Sequence, residues 1–256
     1  MYSPFNKLHP APHENGKRLH FNVKNAKLIK TRTAAFSLPA GYTCPGANEC
    51  LAWADRNENR LIEGPNSKHR CFAASLEIAR KSVRVSVDRN LAALQQARTV
   101  ERMADLIDMN LPAVFFHHIR IHADGDFYNQ EYFLAWLEAA RRNPRRLFYA
   151  YTKSLPIWIK FRAALPENFV LTASWGGKWD HLIEPNGLRS ARVVYHPEEA
   201  ERLGLEIDHD DSCARSKDGK DFALLLHGVQ AKGSEASEAL KRMKREKIKF
   251  SYSQEA

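Results

Sequence analysis

The chain has 256 residues, 44% hydrophobic and 27% charged, the make-up of an ordinary globular protein with room for one large domain or two small ones. No run of about 18 apolar residues occurs, which excludes a helical membrane span, and the start, MYSPFNKLHPAPHENGK, lacks the apolar core of a secretory signal. The formal charge of +9, from 39 Lys and Arg against 30 Asp and Glu, favours anionic partners, nucleic acid above all.

Residues 1–25 read as an extended N-terminal segment and 26–256 as a single α/β domain. AKLIKTRTAAFSL (26–38) has the β-branched and apolar residues of a strand, stopped by Pro39 to Gly41. FAASLEIARKS, after Cys71, has helical spacing, and Val87 to Asn110 fits a long helix or a broken pair. AVFFHHIRIHA (113–123) reads as a strand and NQEYFLAWLEAARR (129–142) as an amphipathic helix. LFYAYT (147–152) is a strand, and LPIWIKFRAAL is a helix with Pro156 allowed in its first turn. Strands follow at FVLTAS (169–174) and ARVVYH (191–196), then a short helix, PEEAERLG, closed by Gly204. DFALLLHG (221–228) is the last strand, and GSEASEALKRMKRE the last helix, with Ser234 as its N-cap. Alternating strands and helices predict a parallel sheet, arranged as a full or partial (β/α) barrel with its chemistry at the C-terminal ends of the strands.

Cysteine usage is the most specific chemical signal. Cys44, Cys50 and Cys71 lie in and just beyond the loop after the first strand, and Cys213 lies far downstream in DHDDSCARS. In a reducing cytoplasm, the compartment the N-terminus suggests, such thiols bind metal more often than they pair. Three readings stand side by side: small buried hydrophobes, zinc ligands, or ligands of an iron–sulfur cluster. Four thiolates on one cluster leave no iron free for substrate, whereas three leave one available. Cys44-x5-Cys50 is not the tight pair of a zinc ribbon.

Other polar residues gather at predicted strand ends. His118, Arg120 and His122 alternate and so share one strand face, and Asp124-Gly125-Asp126 turns sharply after them, with two carboxylates suited to a cationic amine or a hydroxyl. The plainer role of those acids is to organise the turn. Lys153 and Ser174 end the next strands and suit a carboxylate or phosphate; Trp175 suits stacking or simple packing. HGVQAKGSEASEAL places Gln230 and Ser234 at a strand-to-helix joint whose amides can face an anion, although it is no Walker loop. Lys241, Arg242, Lys244, Arg245 and Lys247 make the last helix basic, either a solvated face or a nucleic-acid contact. No hydrolase signature is present.

Taken together, FSLPAGYTCPGANEC, RCFAAS, IHADGDFYNQEYFLAWLEAARRNP, FYAYTKSL and FALLLHGVQAKGSEA resemble the phage family named after gene product 88, over most of residues 27–252. That resemblance implies a viral protein acting in the bacterial cytoplasm, while the basic surface makes nucleic acid or a host protein the expected partner. More remotely, the order of features resembles radical S-adenosylmethionine enzymes, in which a cysteine loop follows the first barrel strand and a Gly-Gly-Glu-like turn follows the second. This likeness implies a 4Fe–4S cluster on Cys44, Cys50 and Cys71, with S-adenosylmethionine beside Asp124, Asp126 and the other strand-end residues. The superfamily's C-x3-C-x2-C spacing is absent, and Cys213 is a candidate fourth ligand. The competing reading is a non-enzymatic factor whose metal merely ties loops together.

Overall fold

The computed structural model describes residues 4–8 and 18–248. In chain order they form β1 (Phe21–Asn22), α1 (Ala26–Lys30), β2 (Thr33–Ser37), β3 (Ala52–Ala54), β4 (Leu61–Glu63), α2 (Phe72–Ala79), α3 (Lys81–Ala97) and α4 (Val100–Asn110). β5 (His118–Asp124), α5 (Gln130–Arg142), β6 (Leu147–Thr152), α6 (Leu155–Lys160), β7 (Phe169–Ser174) and β8 (Ser190–Val194) follow. The chain then adds α7 (Pro197–Arg202), β9 (Glu206–Ile207), α8 (Ser212–Arg215), β10 (Phe222–Leu225) and α9 (Glu235–Arg245).

Eight strands hydrogen-bond in the order β1-β2-β5-β6-β7-β8-β10-β9, and all pairs but β1–β2 are parallel. The fold is thus mixed α/β with a mostly parallel sheet, and its parallel strands run nearly in chain order. A doubly wound sheet would reverse its order at a switch point, and this one does not. Among the described residues the sheet runs from β1 to β9, two-residue strands at its edges, with no pairing that closes it into the expected barrel. The N-terminal segment contributes β1, which seats Phe21 beside Phe36 with ring centres 5.1 Å apart; residues 1–3 and 9–17 lie outside the described set.

The two faces of the sheet differ in chemistry because alternate residues point to opposite sides. One face carries Phe36, Ile119, Ile121, Phe148, Ala150 and Leu171, and packs them with Trp136, Phe133 and Ile107 of α5 and α4 into the main core. On the other face Tyr149, Val170, Ala191 and Phe222 gather around Ala214 and Cys213 of α8. That short helix is held by charge. Asp211, almost wholly buried, accepts from Arg120 Nη1 at 2.9 and 3.2 Å and from the Tyr149 hydroxyl at 2.8 Å. Arg189 donates to the carbonyls of Cys213, Ala214 and Ser216 and to Thr172 Oγ1. α8 therefore covers part of this face of the sheet.

Several boundaries differ from those read in the sequence, while the stretch up to Asn110 resolves into one of its two readings. Residues 26–38 are a helix and then a strand: Asn25 caps α1, accepting from the amides of Lys27 and Leu28, and Arg32, at φ 51°, turns the chain into β2. The stretch up to Asn110 is a broken pair; α3 stops at Arg98, φ 62°, and Thr99 caps α4. β5 starts at His118, five residues later than expected, because Val114 and Phe115 stay exposed in the turn before it.

Removing the Asp211 carboxylate would take a buried counter-charge away from Arg120. Asp211→Ala should cost about 3–5 kcal/mol in urea unfolding. Asp211→Asn, which keeps acceptor oxygen and tolerates the residue's φ of 64°, should cost clearly less.

Candidate functional site

Residues 39–71 leave the end of β2 and arch over the C-terminal end of the sheet. Their contacts run along the strand ends in turn. Glu49 N–H donates to the Gly176 carbonyl at 2.9 Å and Lys178 N–H to the Gly46 carbonyl at 2.9 Å, beside a bridge between Ala47 and Gly177. Gly46 lies so close to Lys153 that an added Cβ would sit 2.2 Å from its carbonyl oxygen, so this contact demands glycine. Farther on, the Tyr195 hydroxyl donates to the Lys68 carbonyl at 3.1 Å. At the far side Gln230 accepts from Arg70 N–H at 2.7 Å and donates back to the Arg70 carbonyl at 3.4 Å. The β3–β4 hairpin, which the sequence did not reveal, stiffens the middle of the arch.

The arch brings three thiols together. Cys44, Cys50 and Cys71 are half-buried; Cys44 and Cys50 pack with Tyr42 and Trp53, whereas Cys71 packs in a neighbouring cluster with Ala40 and Ala73. Burial first, then Asp126 and the thiols of Cys71 and Cys50, push the Cys44 thiol well above its ordinary range. The Cys71 thiol is pushed up to about 12 by burial, then by Cys50, with Asp124 adding to it. Burial is the leading cause at both thiols, and the neighbouring thiols and carboxylates add to it. Among the described residues, no three His, Cys, Asp or Glu side chains close on a point as ligands of a single ion would. Cys213 is not brought to them. It lies within α8, packed against Tyr149 and Phe222 on the other face of the sheet, and its charged neighbours are Asp208, Glu206, Asp210 and Arg189.

The turn after β5 is shaped by an irregularity the alternation could not predict. Ala35 pairs with Arg120 but Ser37 with Asp124, so β5 bulges between them. His122, at φ 66°, leaves the face of His118 and Arg120 and turns into the main core, 3.0 Å from the Tyr132 hydroxyl and edge-on to Phe127. Burial pushes its imidazole down to about 3, so it stays neutral. The shared face expected for the three residues is therefore broken, and the bulge aims Asp124 inward. Asp124 accepts from Ser37, yet its Oδ1 is buried without a hydrogen-bond partner, and burial raises its carboxyl to about 6. Asp126 instead organises the turn. It accepts from Thr152 Oγ1 at 2.6 Å and from the amides of Phe127 and Lys153 at 2.7 and 2.8 Å. Gly125, at φ 88°, sits where a Cβ would come within 2.7 Å of Leu38 and Thr43.

Lys153 and Ser174 meet at the ends of β6 and β7, with Nζ donating to Oγ at 2.5 Å. Beside them His69 is pushed down to about 4 by burial and then by the Lys153 charge, and His227 to about 4 by burial and then Arg120. Both imidazoles are neutral at physiological pH. Trp175 is placed otherwise than a stacking platform needs: its indole donates to Ser190 Oγ at 2.9 Å, and Arg192 covers its ring at 4.2 Å against the main core. Ser234 caps α9, accepting from Ser237 N–H at 3.1 Å, as its spacing predicts.

Glu77 is a site-supporting residue that no sequence signal marked. Wholly buried on α2, it accepts from Ala40 N–H at 2.7 Å and pairs with Arg56 at 2.7 Å, while Arg56 reaches Asp88 at 2.6 Å. It thereby ties the start of the arch to the helix that opens at Cys71.

Comparison with known proteins places the chain in a family. The family described as Gene product 88 matches residues 14–247. The Gene 88 protein of Mycobacterium phage L5 is 33% identical over 213 residues, covering 71% of this chain and 80% of that protein. The chain belongs to the gene product 88 family. No solved structure matches it.

Burial raises the Glu77 carboxyl to about 7, against the charge of Arg56, from an ordinary 4.5. The folded state then holds this proton more tightly than the unfolded chain, so stability should fall as pH rises from about 4.5 to 7. Glu77→Gln keeps the acceptor for Ala40 and should flatten that slope in thermal melts taken across the same window.

Proposed function

We propose that this gene product 88 protein is an iron–sulfur protein in which Cys44, Cys50 and Cys71 hold a 4Fe–4S cluster at the mouth of a partly wrapped α/β barrel. The observation that carries the reading is the convergence of three half-buried thiols under the arch beside an inward-facing carboxylate with an unpartnered oxygen. A cationic core reverses the mutual opposition of these groups and lets the thiols bind as thiolates. With Cys213 engaged elsewhere, three protein ligands leave one iron available to a small molecule.

S-adenosylmethionine is the molecule to test at that position, because the mouth offers complementary groups for its amino-acid end. Asp124 presents the unpartnered Oδ1 to an ammonium, and Lys153 with Ser174 present a cation and a hydroxyl to a carboxylate. Cys44, Cys50 and Cys71 would hold the cluster, and the chemistry it would supply there is one-electron reduction of a bound sulfonium. Asp126 has a different duty: its three hydrogen bonds hold the turn that aims Asp124. The chain's charge of +9 favours an anionic macromolecule such as nucleic acid as the substrate. Among the described residues no helix is long and apolar enough to cross a membrane.

Anaerobic purification should give a brown protein with about four iron and four sulfide per chain. Replacing any one of Cys44, Cys50 or Cys71 by alanine should abolish the colour, whereas Cys213→Ala should keep it. A colourless, iron-free protein that is folded by circular dichroism sinks the reading. In the loaded protein Asp124→Asn should weaken S-adenosylmethionine binding by about tenfold or more in calorimetry, the loss of one charge-assisted hydrogen bond.

A further inference from the structure

The end of the sheet remote from the arch carries a different chemistry. β2, β5 and β6 are parallel neighbours, and Thr33, His118 and Leu147 stand at one register level where they begin. The residues just before them, Arg32, His117 and Arg146, therefore line up across the strand starts, about 4.8 Å from one backbone to the next. Backbone hydrogen bonds hold this row. His118 N–H donates to the Arg32 carbonyl at 3.2 Å, and Leu147 N–H to the His117 carbonyl at 2.9 Å. Arg145 is exposed in the turn that Arg146 N–H closes on the Asn143 carbonyl at 3.0 Å, and it adds a further guanidinium. The next strand, β7, is preceded by Glu167, so the basic row stops there.

Beside the row, the turn before β5 holds two large apolar side chains in water, Val114 at 74% and Phe115 at 51% exposed. A lone exposed apolar residue needs no explanation; the setting of Phe115 is what marks it. Phe116, packed on the main core, meets its ring edge-on at 88° with centres 5.2 Å apart. The Arg32 guanidinium lies over the same ring, 5.4 Å from its centre, and reaches His117 Nε2 at 3.4 Å. Among the described residues Arg32 meets no carboxylate. The acids of nearby α4 are engaged elsewhere, Asp105 with Arg142 at 2.7 Å and Asp108 with the Asn143 amide at 2.6 Å.

We infer that this end of the sheet binds single-stranded nucleic acid, with a base stacked on the Phe115–Arg32 pair and its flanking phosphates against Arg145 and Arg146. A firmly held ring with an exposed part, set beside a line of cations, is the combination that strand binding uses: the ring takes a base and the cations follow the backbone. A protein partner could cover the same apolar turn, but the unbroken run of basic residues favours a polyanion. A duplex keeps its bases stacked on one another, so the ring selects a single strand. The site stands at the opposite end of the strands from the three thiols and holds whether or not they bind iron.

The probes are labelled dT and U oligonucleotides of about 15 nucleotides, read by fluorescence anisotropy with the full-length chain. At least one should bind, and a duplex of the same length about tenfold more weakly; the tighter of the two names the sugar preferred. Phe115→Ala and Phe115→Leu should each weaken binding about tenfold, whereas Phe115→Tyr should stay within about twofold of wild type, because leucine keeps the apolar contact and loses the stacking face. The R32E/R145E variant should bind at least tenfold more weakly, with a flatter loss of affinity as salt rises. K241E/K244E, on the basic last helix, should match wild type. Phe115 and Arg145 are exposed, so their variants should melt as wild type does by circular dichroism. A wild type that binds no strand at low salt, a Phe115→Leu variant that binds normally, or an equal loss in K241E/K244E overturns the site. So does a Phe115-dependent dimer in sedimentation that leaves the oligonucleotides unbound, since it assigns the turn to a second copy of the chain.

Discussion

The candidate site depends on one backbone contact, the seating of Gly46 against the carbonyl of Lys153. There is no room for a side chain at that point, and the neighbouring amides of Glu49 and Lys178 complete the join with the ends of β7 and the arch. Without it, residues 39–71 would be a surface loop with three unrelated cysteines. With it, Cys44 and Cys50 are fixed over the strand ends while Gln230, at the far end, fixes Arg70 and hence Cys71. Glu77 closes the circuit by holding Ala40, where the arch begins, from the helix on which it ends. Each anchor is a hydrogen bond or steric contact between residues far apart in sequence, and so the thiols converge only in the folded chain.

The same logic separates Asp124 from Asp126, two carboxylates that look equivalent in sequence. Asp126 is fully engaged by a hydroxyl and two amides, so its negative charge is spent on structure. Asp124 keeps an oxygen without a partner in a buried place, which is costly unless a cation arrives. The bulge that creates this difference also carries a strained φ at His122, and strain of that kind persists where surrounding packing enforces it. Tyr132 and Phe127 do the enforcing here, from the core side.

Much of the frame was legible because its strands are short, apolar on both faces and bounded by breakers. β6 and β7 fall on the residues that LFYAYT and FVLTAS mark, and α9 begins after its Ser234 cap as the spacing requires. Legibility failed where a local cap or a left-handed residue overrode composition. Leu28 and Ile29 suit a strand, but the side chain of Asn25 satisfies two amides and nucleates α1 instead. The alternation of His118, Arg120 and His122 promised one face, and two extra residues in the bulge broke it. Trp175 stood at a strand end, yet its alternation with Ser174 sends it to the core side, and that much was available from period two alone. Arg56, Glu77 and Asp88 carry no signal, since a buried ion network depends on partners that spacing does not show.

Cys213 shows how far composition can mislead about a site. Four cysteines suggest four ligands, but α8 is held to the sheet by Asp211 and Arg189, and this fixes Cys213 among Tyr149, Phe222 and a set of acidic neighbours. The helix that carries Cys213 is thus fixed from two sides, by the pair of Arg120 with Asp211 and by Arg189 on its carbonyls.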